Sequence, residues 1–179
     1  KQGVERIQHL VEQLLALYRA TPDQFSANSK DIDLYQITQD VVAQHYSSIE
    51  NKHQSLELIG SPCQIRGEQF AVETLISNLL SNANKYTQDG GEIIVHIDEF
   101  DEQVCLTVED NGPGISEEDK HRVFDRFYRL GSAYDKTQEP GCGLGLTIVS
   151  HIAELHSAEV SLVDSSFATG CAFKVCFDR

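Results

Sequence analysis

Three residues in the middle of the chain have the types and spacing for phosphate chemistry. Asn78, Asn82 and Lys85 fall at i, i+4 and i+7, which lines them up on one helical face. An asparagine carbonyl oxygen is a hard ligand suited to Mg²⁺, and a lysine supplies a point charge for phosphate. Asparagine is a mediocre helix former because its amide competes for the backbone. Two in register, followed by a lysine, therefore suggest a helix that carries polar ligands. A solvated helix face is the other reading of these three residues taken alone.

Further groups lie downstream. Asp110-Asn111-Gly112-Pro113-Gly114-Ile115 follows an apolar alternating run, so a carboxylate stands at a strand end before a turn that exposes backbone. Asp110 there is able to accept a hydrogen bond from an exocyclic amine such as that of adenine, or to cap its own turn. Gly141-Cys142-Gly143-Leu144-Gly145-Leu146 opens a helix, where loop amides and the helix dipole favour an anion. Phe124-Asp125-Arg126-Phe127-Tyr128-Arg129 puts aromatics beside two arginines ahead of a polar stretch, Leu130 to Pro140. That stretch reads as a lid with Arg126 or Arg129 reaching phosphate, or as a surface loop with snorkelling arginines. Thr169, beside Gly170, either supports an adenine pocket or forms a turn.

The elements that must position these residues follow from hydrophobic periodicity. Leu75, Ile76, Leu79, Leu80 and Ala83 form the apolar stripe of the helix from Glu73 to Tyr86. Residues 1–20 form a first helix, where Val4, Ile7, Val11, Leu14 and Tyr18 make a heptad-like seam that needs a partner. A polar linker over 21–30 contains Pro22 as a helix stop. Beyond it come a short strand at Asp31–Asp33 and a helix from Leu34 to about Asn51, with Leu34, Ile37, Val41, Val42 and Ile49 as its core face. Short strands flank the Gly60-Ser61-Pro62 turn, at Ser55–Ile59 and Cys63–Arg66. Ile93, Val95 and Ile97 pair with Val104, Leu106 and Val108 as a hairpin. Ser116 caps a short helix to about Tyr128, a last helix covers Leu144 to His156, and a final strand pair follows at Val160–Val163 and Ala172–Phe177. Strands and helices are segregated, so the expected class is α+β: a two-layer sandwich of a mixed, mostly antiparallel sheet covered by helices and preceded by one dimerisation-type helix.

Composition narrows the class. The chain has 179 residues, 40% hydrophobic and 23% charged, with a formal net charge of −14. That balance argues against nucleic acid as a partner, because such surfaces are usually basic. A nucleotide needs only a local cluster of donors. No apolar run approaches the roughly 18 residues of a membrane span. The sequence contains no Met, which suggests a piece of a larger protein. Five Cys lack zinc-site spacing. Cys105, Cys171 and Cys176 lie in apolar runs and are expected to be buried thiols in a reducing cytoplasm.

Taken in order, Asn-Leu-Leu-Ser-Asn-Ala-Asn-Lys-Tyr, Asp-Asn-Gly-Pro-Gly-Ile, Phe-Asp-Arg-Phe-Tyr-Arg and Gly-Cys-Gly-Leu-Gly-Leu resemble the N, G1, F and G2 boxes of bacterial sensor histidine kinases. Residues 1–20 resemble the second helix of that family's dimerisation and phosphoacceptor domain, leaving 31–179 as a catalytic ATP-binding domain. The resemblance implies the ATP-binding sandwich shared with gyrase, a heat-shock chaperone and mismatch-repair ATPases. It also implies roles. Asn82 would hold a Mg²⁺ that bridges the phosphates, with Asn78 beside it. Lys85 would contact phosphate and Tyr86 would cover base or sugar. Asp110 would bind the adenine amine, with Gly112, Gly114 and Ile115 around the base. Gly141, Gly143, Leu144, Gly145 and Leu146 would shape lid and phosphate site, and Thr169 would close the adenine pocket. Arg126 or Arg129, with Asn82 and Lys85, would serve catalysis.

Two departures from the family pattern stand out. None of the seven His begins the phosphate-accepting His-Glu/Asp-Leu-Arg-Thr-Pro motif, so the acceptor should lie on a helix outside this chain. Ser157 follows His156 where the family usually has Gly, and the last Gly-rich turn is reduced to Ser165-Ser166-Phe167-Ala168-Thr169-Gly170. The implied function is a protein-histidine kinase: γ-phosphoryl passes from ATP to that His and then to an Asp of a response regulator receiver domain. The implied partners are ATP or ADP, the missing His-bearing helix, the regulator and, in the full-length protein, a second copy. The implied location is a cytoplasmic domain of an inner-membrane protein. An ATPase of the same fold and a degenerate nucleotide-binding interaction module are the alternatives.

Overall fold

A computed structural model of the chain describes residues 28–125, 128 and 143–179. The expected first helix at 1–20 and most of the linker lie outside the described residues. Strand β1 (Lys30–Asp33) leads directly into helix α1 (Leu34–Glu50), whose N-terminus is capped by Asp33 accepting from the Gln36 amide at 3.1 Å. Strands β2 (Ser55–Ile59) and β3 (Gln64–Gly67) follow, then the central helix α2 (Gln69–Tyr86). This helix starts four residues before the expected Glu73, because the Glu68 carboxylate caps the amides of Phe70 and Ala71 at 3.2 and 2.7 Å. Strands β4 (Glu92–Glu99) and β5 (Gln103–Asp110) form the expected antiparallel hairpin. Helix α4 (Gly145–Leu155) and strands β6 (Glu159–Val163) and β7 (Cys171–Asp178) close the chain.

The helix expected from Ser116 to about Tyr128 is a single turn, α3 (Glu117–Lys120), continued by turns to Asp125. Ser116 does cap it, accepting from the Asp119 amide at 3.3 Å. Val123 and Phe124 then pin the segment down, with Val123 buried and the Phe124 ring edge-on to Phe173 at 6.1 Å.

The strands beside Gly60-Ser61-Pro62 belong to two sheets. β1 and β3 make a two-stranded antiparallel ribbon, while β2 pairs in parallel with β4. The five-stranded sheet has the order β2-β4-β5-β7-β6 and is antiparallel apart from β2. It is the mixed, mostly antiparallel sheet that the segregated pattern predicts. Ile93, Val95, Val104, Leu106, Val108, Phe173, Val175 and Phe177 are buried and share one core with the stripes of α1, α2 and α4. All five predicted stripe residues of α2 are buried. In α1, Thr38 joins the core by donating its hydroxyl to the Leu34 carbonyl at 2.7 Å, and Val42 is only half-buried.

The opposite face of the sheet carries Glu109, Thr107 and Cys105 on β5, in register with Ala172, Lys174 and Cys176 on β7. Cys105 and Cys176 face each other with Cα atoms 4.1 Å apart and are joined by a disulfide. This corrects the expectation of buried thiols. Pairing register, which a single apolar run does not reveal, brings the two residues together across 71 positions of sequence. Cys63 and Cys171 are free. No helix among the described residues is long and apolar enough to cross a membrane.

Candidate nucleotide site

α2, the ends of β5 and β7, and the start of α4 converge. Asn78 is tied to its own helix by donating Nδ2–H to the Thr74 carbonyl at 2.8 Å, which leaves its Oδ1 facing α4. A Cβ placed on Gly145 would stand 3.1 Å from Asn78 Oδ1 and 3.7 Å from the Asn82 amide atoms. The first residue of α4 is therefore held against the two asparagines, and only glycine fits without a shift. The residue at the α4 N-cap, Leu144, has no acceptor to offer the first-turn amides. Free amides and two amide carbonyls thus meet at one spot, and this donor set suits phosphate and a hard cation together. Among the described residues no cluster of His, Cys, Asp or Glu is arranged to hold a metal. A cation here would rest on amide and phosphate oxygens.

Lys85 and Tyr86 sit on the last turn of α2. The Lys85 ammonium lies 4.9 Å from the centroid of the Tyr86 ring, and that ring is exposed. The turn is held from behind by the segment between α1 and β2. Lys52 Nζ donates to the carbonyls of Asn84 and Lys85 at 2.9 and 3.2 Å, and Gln54 Nε2 to those of Asn84 and Thr87 at 3.1 and 2.8 Å. A cation on the carbonyl end of a helix complements the dipole. Sequence reasoning missed both residues, because nothing local marks a lysine or glutamine as the cap of a helix 30 residues away.

Asp110 ends β5 and is 5% exposed. Its carboxylate accepts from the Gly112 amide at 2.9 Å. Burial nevertheless raises its pKa to about 6. Gly112 is itself buried against the Tyr86 carbonyl, which joins this turn to the end of α2. Asn111 accepts from the Glu92 amide at 2.8 Å and anchors the turn to β4. Gly114 has φ +77° and faces the Gly170 carbonyl, while Ile115 packs on the core edge.

Other expected site residues are distributed as follows. Leu144 is buried, Leu146 packs against the core, and Gly143 has φ +69° just ahead of α4. Arg126, Arg129 and Gly141 lie outside the described residues. Thr169 is exposed. The residue in register with Asp110 is Cys171, two positions further on, whose thiol is pushed up to about 12 by burial and then by the Asp110 charge. A signal for it existed in the sequence: Cys171 directly precedes the expected last strand, Ala172–Phe177, and strand ends cluster at one edge of a sheet.

The departure at Ser157 is accommodated. Its φ is +52°, the left-handed geometry that glycine usually supplies after a helix. The Ala158 amide reaches back to the Ala153 carbonyl at 2.8 Å and completes the stop. His156 Nε2 accepts from the Glu68 amide at 3.2 Å, and its Nδ1–H donates to the Ile152 carbonyl at 2.8 Å, so the end of α4 is fastened to the start of α2.

The model of the family described as histidine kinase-, DNA gyrase B-, and HSP90-like ATPase matches residues 67–179. The chain belongs to that family. Among histidine kinase-type members, the sensor protein kinase PmrB of Pseudomonas aeruginosa is 32% identical over 160 residues, covering 89% of this chain and 33% of that protein. The mycobacterial sensor histidine kinase MprB has a solved structure with a TM-score of 0.72 and 25% identity, covering 84% of this chain and 97% of that one. The histidine kinase ThkA, solved in complex with the response regulator protein TrrA, shares the fold with a TM-score of 0.77 at 17% identity over 99% of this chain and 48% of that one. The relatives are sensor kinases, so the chain is an ATP-binding domain of the histidine kinase branch. It spans about a third of the length of the curated relatives it matches.

Proposed function

We propose that this chain supplies the γ-phosphoryl of ATP for phosphorylation of a His outside it, from which the phosphoryl passes to a response-regulator Asp. In this reading residues 31–179 are the catalytic domain and residues 1–20 the second helix of a dimerisation domain. The intact protein is then a homodimer anchored in the inner membrane, with this part in the cytoplasm. The observation that carries the reading is Asp110. A buried carboxylate at a strand end, held by the Gly112 amide and turned toward the α2 side of the sheet, is the acceptor that an adenine amine requires.

Each neighbouring group has a part. Asp110 accepts from the base amine, and Gly112 and Gly114 leave room for the ring. Tyr86 covers base or sugar. The α4 amides and Lys85 take phosphate oxygens, helped by Arg126 or Arg129. Asn82 and Asn78 are the groups that would hold Mg²⁺, which when bound neutralises phosphate charge. The chain's own contribution is to orient the nucleotide and offset developing charge, without bonding to the transferred group.

The test is titration of ATP and ADP with and without Mg²⁺, on this chain and on Asp110→Ala. Saturable binding that Mg²⁺ strengthens is expected. The substitution should cost about 1.5–3 kcal/mol, the worth of a hydrogen bond to a charged group. If ATP bound the folded variant as well as the parent, Asp110 would not be the adenine acceptor.

A further inference from the structure

Glu109 and Asp110 are adjacent, so their carboxylates emerge on opposite faces of β5. Asp110 serves the site just described. Glu109 lies on the helix-free face, yet it is also only 5% exposed. What covers it is the β6–β7 connection. The Ser165 hydroxyl donates to Glu109 Oε1 at 2.7 Å, and the Ser166 amide donates to the same oxygen. His96 Nε2 stands 3.8 Å from the other oxygen. Burial works against ionisation of Glu109, but the Ser165, Ser166 and Phe167 donors together hold its pKa below the usual carboxylate value.

The same connection then crosses the end of β5. At Gly170 a Cβ would fall 1.8 Å from the Asp110 carbonyl oxygen, so the backbones pass in direct contact. Immediately afterwards Cys171 pairs with Asp110 in the β5–β7 ladder. Residues 165–171 thus form a strap, fastened to the Glu109 carboxylate at one end and lying against the Asp110 backbone at the other. It also borders the Gly112–Gly114 turn, where Gly170 O would lie 3.1 Å from a Cβ on Gly114.

We infer that Glu109 is a positioning residue for base recognition, acting through the Ser165–Cys171 strap to hold the Gly170–Cys171 backbone against Asp110 and the Gly112–Gly114 turn. It never touches the nucleotide. Its effect falls on the group that distinguishes an amine from a carbonyl on the base, and not on the phosphate end, where α2 and α4 are built without it. The inference rests on the adenine reading of Asp110.

The experiment compares ATP with ITP, whose base carries a 6-oxo group in place of the amine, on the parent chain, Glu109→Leu and Glu109→Gln. Glu109→Leu leaves Asp110 in place but less firmly held, and should weaken ATP by about five- to tenfold and ITP by less than about twofold. Glu109→Gln keeps an acceptor for the serine hydroxyl and amide and should recover most of the loss. A second readout needs no nucleotide: amide exchange at Cys171 should quicken in Glu109→Leu and return toward the parent rate in Glu109→Gln. Equal loss of ATP and ITP, or an unchanged Cys171 exchange rate, overturns the positioning role. A parent chain that binds ATP and ITP alike overturns the adenine reading itself, and with it the inference.

Discussion

Asp110 and Cys171 stand opposite each other on antiparallel strands, both on the helical side of the sheet. The pair is poor for the fold. Burial raises the Asp110 pKa to about 6 from the ordinary 3.8. The folded state therefore holds a proton that the unfolded chain releases between those two values, and stability falls as pH rises through that window. Above it the ionised group costs up to about 3 kcal/mol. Asp110→Asn should therefore raise the urea midpoint at pH 7.5, gain little near pH 4, and weaken ATP binding. A midpoint gain independent of pH would show that the carboxylate carries no such penalty.

Gly145 tests the phosphate end. Gly145→Ala places a methyl 3.1 Å from Asn78 Oδ1, which tightens the contact between α4 and the asparagines. Gly145 is the first residue of α4, so alanine gains little of the roughly 0.5–1 kcal/mol it brings to a helix interior. The expected outcome is an unchanged or slightly lower melting temperature with weaker ATP binding, by roughly fivefold, while adenosine binds as before. Calorimetric titration of both ligands separates the effects.

Ser157 tests the helix stop. A non-glycine residue at φ +52° is strained by about 1 kcal/mol. Ser157→Gly should recover most of it as a higher denaturant midpoint, with nucleotide affinity unchanged, since His156 still fastens α4 to α2. A destabilised variant would mean that the serine side chain contributes more than its backbone costs.

The disulfide closes a segment of 71 residues. Loop-closure entropy for this length is about 4.4 kcal/mol, and disulfides typically deliver about 2–4 kcal/mol. Urea unfolding with and without reductant, and on Cys105→Ser, should show that loss. Equal midpoints would show that the cross-link adds nothing to this sheet.

Local chemistry was legible in the sequence wherever a residue acts on its own element. The buried stripe of α2, the hairpin of β4 and β5, and the Ser116 cap follow from spacing and side-chain type. What the sequence hid depends on register and long-range contact. Cys105 and Cys176 look like any core thiols until strand pairing faces them. Lys52 and Gln54 read as loop residues until they meet the end of α2. Cys171 reads as one more apolar residue until β7 pairs with β5 and sets it opposite Asp110. The short α3 follows the same rule: Ser116 starts a helix, but packing of Val123 and Phe124 ends it after one turn.

The cross-link has one consequence for the nucleotide site. Strands β5 and β7 bear Asp110 and Cys171 at one end and the bonded cysteines on their other face, so neither strand is able to slide along its neighbour. The base end becomes a fixed datum. In the proposed function, any response to the terminal phosphate then falls to the junction of α4 with α2, where Gly145 meets Asn78 and Asn82.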